Sequence, residues 1–200
     1  VHVERVQRRS GEVAEIEGMF DQVLFLPPKV HVQVSVRDLS EVLCLVKGID
    51  TERVEELAAP GKPQALIVAP TRELALQVER ELTWLYASAG VKVVSCVGGM
   101  DIRNERRALE RGAHIIVGTP GRLRDHITRR ALDLSQMRVV VLDEADEMLD
   151  LGFREDLEFI LEQSPDERRT LMFSATVPRS IADLAKSYQR DARRIETVSE

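Results

Sequence analysis

From residue 65 onward the chain repeats one device: a short apolar run, a polar loop built from Thr, Pro, Gly, Arg or acids, and then a helix-length segment. The apolar runs are Ala65 to Val68, Val91 to Val97, His114 to Val117, Val139 to Leu142 and Thr170 to Phe173. Between and after them lie helical patterns over Glu73 to Ala87, Ile102 to Gly112, Arg122 to Arg130, Glu147 to Leu151, Arg154 to Gln163 and Ser180 to Tyr188. Continuous apolar runs of this length suit strands covered on both faces. Parallel neighbours need a crossover long enough for a helix, and such crossovers are right-handed. The expected fold is therefore α/β: a parallel sheet with helices on both faces. Every polar loop follows the C-terminus of a strand, so the loops should share one edge of that sheet.

A chain of 200 residues with 44% apolar content suits one such domain, alone or with an appendage. The 28 Lys and Arg against 34 acids give a net charge of -6, which argues against a tail-driven polyanion binder but leaves room for a local basic face. Cys44 and Cys96 are far apart and form no C-x-x-C pair. They read as small core hydrophobes in a reducing cytosol, not as a zinc site or disulfide. No apolar run approaches the roughly 18 residues of a membrane span, and the charges from Glu4 to Arg9 interrupt any signal-peptide core, so the expectation is a cytoplasmic protein without a membrane partner.

Residues 1–64 read differently. Val30, Val32, Val34 and Val36 alternate with His31, Gln33 and Ser35, the pattern of a half-exposed strand entered through Pro27 and Pro28. His31 falls on its polar face and, lacking a second ligand at a suitable spacing, reads as a solvated histidine. Val42 to Val46 is a short apolar run, and Asp50 to Ala59 fits a surface helix broken by Pro60 and Gly61. The segment reads as a divergent N-terminal part of uncertain fold.

The chemistry is concentrated at the strand ends. Val139 to Leu142 runs into Asp143, Glu144 and Asp146, and a carboxylate cluster beyond a parallel strand suits a hard cation such as Mg2+. Taken alone, the same acids could simply oppose the dipole of a following helix. Arg72 and Arg122, with Thr71, Thr119 and backbone amides beside Gly98, Gly99 and Gly121, suit phosphate oxygens. The glycine pair fits either close approach of a ligand backbone or an unusual turn. Trp84 lies inside a helix and is expected to pack on the sheet, not to stack on a base. No aromatic residues are interleaved with the basic turns, so contact with a nucleic-acid backbone is favoured over base reading.

APTRELA at 69–75, the glycine pair at 98–99, TPGR at 119–122, VLDEAD at 141–146 and SAT at 174–176 resemble, in order and spacing, the first RecA-like domain of a DEAD-box ATP-dependent RNA helicase. The resemblance implies a RecA-like helicase domain over 65–195 and the start of an interdomain linker at 196–200. It implies ATP and Mg2+ as cofactors, with Asp143 holding Mg2+ through water and Glu144 positioning or deprotonating the attacking water. Asp146 would contact Ser174 and Thr176 and couple nucleotide state to strand separation. Pro70, Thr71, Arg72, Gly98, Gly99, Thr119, Pro120, Gly121 and Arg122 would grip a single RNA strand by its backbone, bending it away from duplex geometry.

Two features depart from the family pattern. A phosphate-binding loop G-x-x-x-x-G-K-[ST] is missing: the only Gly-Lys pair, Gly61-Lys62, is followed by Pro63 and has Glu56 where the first glycine belongs. The adenine-reading element expected further upstream, an aromatic residue and a Pro-x-x-Gln pattern, is also missing from residues 1–64. The second RecA-like domain, which supplies arginine fingers, is expected to lie outside this chain. The expected activity is that of an ATP-dependent RNA helicase, inactive as this chain alone. The alternatives are an RNA-binding or regulatory module independent of nucleotide, and an acidic scaffold in which the motifs survive as folding elements.

Overall fold

The computed structural model describes residues 60–190 and residue 192. The strand expected at Val30 to Val36 with His31, the apolar run around Cys44, the helix at Asp50 to Ala59 and the linker at 196–200 lie outside the described residues.

Five strands, β1 (Ala65–Val68), β2 (Val93–Cys96), β3 (Ile115–Gly118), β4 (Val139–Leu142) and β5 (Arg169–Met172), form one sheet in the order β2-β3-β1-β4-β5. All four pairings are parallel and in uninterrupted register, with Val68 level with both Gly118 and Leu142. Among the described residues six α-helices connect or follow the strands: α1 (Arg72–Leu85), α2 (Ile102–Glu110), α3 (Pro120–Thr128), α4 (Ala145–Asp150), α5 (Arg154–Glu162) and α6 (Arg179–Tyr188). The α/β architecture expected from the alternating runs is the one observed.

Strand periodicity divides the core in two. Leu66, Val68, Cys96, Ile116, Val140 and Leu142 point to one face, where Leu123, Met148, Leu157, Ile160, Ile181 and Leu184 from α3 to α6 cover them. Ala65, Val97, Ile115, Val117 and Val139 point to the other, beneath Leu74, Ala75, Val78, Leu82 and Leu85 of α1. Burial on both sides explains why these strands read as unbroken apolar runs. Cys96 is fully buried in the first cluster, as a core hydrophobe should be.

Trp84 departs from expectation. It stays in α1 but is 54% exposed. Leu74, Val78, Leu82 and Leu85 set the buried stripe, and a residue two positions past Leu82 is turned about 200° from it at 3.6 residues per turn. Among the described residues no helix is long and apolar enough to cross a membrane.

Helix ends are set by local chemistry. The Thr71 side chain accepts from the Leu74 amide at 3.2 Å and caps α1, while Pro120 occupies the first turn of α3, where a missing N–H costs nothing. Gly118 is where β3 and α3 meet most tightly: a Cβ there would lie 2.5 Å from the Cys96 carbonyl and 2.8 Å from Leu123. Gly118→Ala should therefore cost about 1–3 kcal/mol by overpacking, read as a lower denaturant midpoint with an unchanged m-value.

Candidate functional site

Four of the five strands hand over to their loops through a backbone hydrogen bond made one residue beyond the strand, while after β2 the Val97 amide donates to Glu105 Oε1. Thr119 N donates to Cys96 O at 3.1 Å, Ala69 N to Gly118 O at 3.0 Å, Asp143 N to Val68 O at 2.9 Å and Phe173 N to Leu142 O at 2.8 Å. The loops consequently leave the sheet side by side. Their order in space follows the strands: the glycine turn after β2, the Thr119 to Arg122 turn after β3, the Pro70 to Arg72 turn after β1, the acids after β4 and the hydroxyls after β5.

The first three turns make a contiguous group. Thr71, Arg72, Gly98, Gly99 and Gly121 are exposed, Thr119 and Arg122 are partly buried, and Pro70 and Pro120 are buried. Arg72 has no hydrogen-bond or ion-pair partner among the described residues, and its guanidinium lies against Gly99, 3.0 Å from where a Cβ would stand. Gly99 has φ +77°, so the turn itself calls for glycine there. Gly98 and Gly121 are different. A Cβ would meet nothing within 4 Å at Gly98 and only an ordinary contact at Gly121, 3.9 Å from Asp156. The protein's own packing does not require glycine at either position.

Arg122 is more enclosed than the sequence suggested, with its side chain 14% exposed. Its Nη2 donates to the Met100 carbonyl at 3.1 Å, and its Nη1 lies 3.7 Å from Glu105 Oε2. Glu105 and His126 were missed by sequence reasoning, which assigned neither residue a role. A signal was present: Glu105 stands three residues after Ile102 and four before Leu109, on the apolar stripe of α2, and His126 follows Leu123 by three on α3.

The acids occupy the other half of the edge. Glu144 adopts a left-handed backbone, φ 47° and ψ 53°, which costs an L-residue about 1–2 kcal/mol. Hydrogen bonds hold it there: Glu144 N donates to Asp143 Oδ1 at 3.1 Å and Ala145 N to Phe173 O at 2.9 Å. Burial, and then the charge of Glu144, push the Asp143 carboxyl up to about 6 against one backbone hydrogen bond. Burial followed by Glu147 and Asp146 also raises Glu144. Asp146 differs. Burial pushes it up too, but the hydroxyls of Thr176 and Ser174 and backbone amides outweigh that and hold it below the ordinary carboxylate value. Thr176 donates to Asp146 Oδ2 from its amide at 2.9 Å and from its hydroxyl at 2.7 Å, while Ser174 Oγ donates to the Thr176 carbonyl at 2.6 Å. These bonds tie the loop after β4 to the loop after β5.

Gly61-Lys62 lies at the opposite end of the sheet. Gly61 bridges to Ala113, just ahead of β3, and Lys62 Nζ pairs with Asp133 at 2.7 Å and donates to Ser135 at 3.0 Å. That lysine is committed away from the acids.

A family profile described as DEAD/DEAH box helicase matches residues 42–184. The chain belongs to this family. It is 53% identical over 128 residues to the DEAD-box ATP-dependent RNA helicase CshA of Geobacillus kaustophilus, covering 64% of this chain and 27% of that protein. Against the ATP-dependent RNA helicase CshA of Limosilactobacillus reuteri it is 44% identical over 149 residues, covering 74% and 29%. Among solved structures, a DEAD box protein from the hyperthermophile Methanococcus jannaschii aligns with a TM-score of 0.64 and 44% identity, covering 69% of this chain and 38% of that one. The sheet is thus the RecA-like sheet of the DEAD-box family, and the chain spans less than a third of the length of those curated relatives.

The acidic end of this DEAD-box sheet makes stability depend on pH. Asp143 keeps its proton to about pH 6 when folded, against 3.8 when exposed, so between these values the folded state binds more protons and stability falls as pH rises. Asp143→Asn should accordingly raise stability by about 1–3 kcal/mol at pH 7.5 in metal-free buffer, and by clearly less at pH 4.5. Thermal melts at the two pH values test this, and an equal shift at both would contradict it.

Proposed function

We propose that this chain forms the RNA-backbone grip and the acidic centre of an ATP-dependent RNA helicase of the DEAD-box type. The observation that carries the reading is the spatial order of the edge. Three turns suited to phosphate oxygens are neighbours on β2, β3 and β1, the carboxylates follow on β4, and the hydroxyls bonded to Asp146 close the row on β5. The RNA-binding set is Pro70, Thr71, Arg72, Gly98, Gly99, Thr119, Pro120, Gly121 and Arg122. Gly98 and Gly121, which packing does not require, leave room for a ligand's backbone to approach. Buried Pro70 and Pro120 would act by shaping their turns.

Asp143 and Glu144 fit a hard divalent cation. Both are oxygen donors at a strand end, and burial, then the neighbouring acids, raise both carboxyls, an environment that a bound cation would relieve. When bound there, Mg2+ would supply positive charge for phosphate oxygens. Asp143 would hold the ion through water, and Glu144, with its raised proton affinity, would accept a proton from a second water. Asp146, bonded to Thr176, would carry changes at the acids toward the loop after β5. The triphosphate itself is less well provided for. The sequence has no phosphate-binding loop, and the only Gly-Lys pair sits at the far edge, engaged with Asp133.

That placement of Lys62 favours a second reading, a module that keeps the backbone grip without using nucleotide. One titration separates the two: labelled single-stranded RNA, with and without a non-hydrolysable ATP analogue and Mg2+. Tightening with the analogue supports the helicase reading, unchanged binding the module, and no binding removes both. Arg72→Ala should weaken binding about tenfold whatever the RNA sequence and flatten its salt dependence. ATP turnover by this chain should stay at background even with RNA, and a stimulated turnover that Glu144→Gln abolishes would contradict the expected inactivity.

A further inference from the structure

Glu105 is a buried acid in the middle of α2 with three separate donors around it. Its Oε1 accepts from the Val97 amide at 2.9 Å, immediately before the glycine turn. Its Oε2 lies 2.6 Å from Nε2 of fully buried His126 and 3.7 Å from Nη1 of Arg122, both on α3. Arg122 in turn donates to the Met100 carbonyl, just past the glycine pair. The loop is closed: Val97 to Glu105, Glu105 to Arg122, and Arg122 back to Met100.

We propose that Glu105 is a positioning residue that locks the glycine turn after β2 to the Arg122-bearing start of α3, making the two turns one rigid anion-binding surface. The proposal rests on the reading of this edge as an RNA-backbone grip. The Val97 amide and the Arg122 guanidinium carry only donors, and His126 donates in its Nε2–H tautomer, so a carboxylate, which only accepts, suits all three. Anchored at Met100 and beside Glu105, the Arg122 guanidinium is held in one plane, so little side-chain freedom is lost when its remaining donors meet a phosphate.

A metal centre is the competing use of this cluster, because Cys96, Glu105 and His126 bring ligand atoms within 4.8 Å of one another. Two features oppose it. Both oxygens of Glu105 are already engaged, and the Arg122 guanidinium places a cation beside them.

Glu105→Gln isolates the idea. It keeps the shape and a carbonyl for the Val97 amide, but sets an N–H2 group against the Arg122 donors, where no change of histidine tautomer can help. The assay is fluorescence anisotropy of the 200-residue chain with a labelled single-stranded uridine oligonucleotide, comparing wild type, Arg72→Ala, Arg122→Ala, Glu105→Gln and the Glu105→Gln/Arg122→Ala double variant. Expected are losses of about tenfold for Glu105→Gln and for Arg122→Ala, with the double variant no weaker than Arg122→Ala alone. Wild-type binding by Glu105→Gln, or losses that multiply in the double variant, would overturn the proposal while a weakened Arg72→Ala leaves the grip reading intact. If neither arginine variant weakens binding, the grip reading fails. Amide exchange then decides the locking itself: faster exchange at Val97 to Met100 in Glu105→Gln supports it, and unchanged exchange overturns it. Should Glu105→Gln melt below the assay temperature, Arg122→Lys replaces it. Lysine keeps the charge but cannot span Met100 and Glu105, so binding should fall as far as in Arg122→Ala, and wild-type affinity would refute the proposal.

Discussion

The amide-to-carbonyl bonds made one residue past β1, β3, β4 and β5 are the interactions on which the rest of this structure depends. Ala69 to Gly118, Thr119 to Cys96, Asp143 to Val68 and Phe173 to Leu142 extend the parallel ladder just beyond the strands. Each fixes the first residue of a loop against its neighbour's last strand residue. Loops far apart in the chain therefore leave the sheet at fixed spacing, and their side chains can act on one ligand. Few other arrangements do this so directly, because parallel strands all end on the same side.

The two halves of the edge are stabilised in opposite ways. The basic half is tied inward by Glu105, whose buried carboxylate gathers Val97, His126 and Arg122, while Arg72 is left without a partner among the described residues. The acidic half carries strain and uncompensated charge: Glu144 in a left-handed backbone, and Asp143 raised to about 6 by burial and by its neighbour. Only Asp146 is fully provided for, through Thr176 and Ser174. Local cost of this kind is a common mark of a site that works on a ligand.

Much of this was legible in the chain itself because apolar runs, glycine stops and the Thr71 cap are local signals. Strand positions agreed to within a residue or two, the helix expected over Ile102 to Gly112 ends at Glu110 with Gly112 at φ +79° just past its cap, and Cys96 was a core residue. Trp84 was misread because a large apolar residue suggests burial, whereas its angular position on α1 sets it outside the packed stripe. Glu105 and His126 were overlooked because an acid and a histidine on helices read as surface until their partners are known. The glycine pair, ambiguous in sequence, resolves into a turn-forming Gly99 and a Gly98 that packing leaves unconstrained.

What the sequence determined by itself was the list of parts: a parallel α/β sheet, five polar loops at strand ends, and the DEAD-box wording of those loops. Periodicity and turn chemistry are properties of neighbouring residues, so a single chain displays them. The tertiary structure alone decided the order of the parts. Along the chain the Pro70 to Arg72 turn comes first, the glycine pair second and the TPGR turn third, but in the sheet β1 lies between β3 and β4. That placement sets Arg72 between the other basic turns and the acids. It also brings Glu105 against Arg122, and leaves Lys62 at the opposite edge beside Asp133. Strand order is fixed by which hydrophobic faces pack together across the whole domain, which no local pattern encodes.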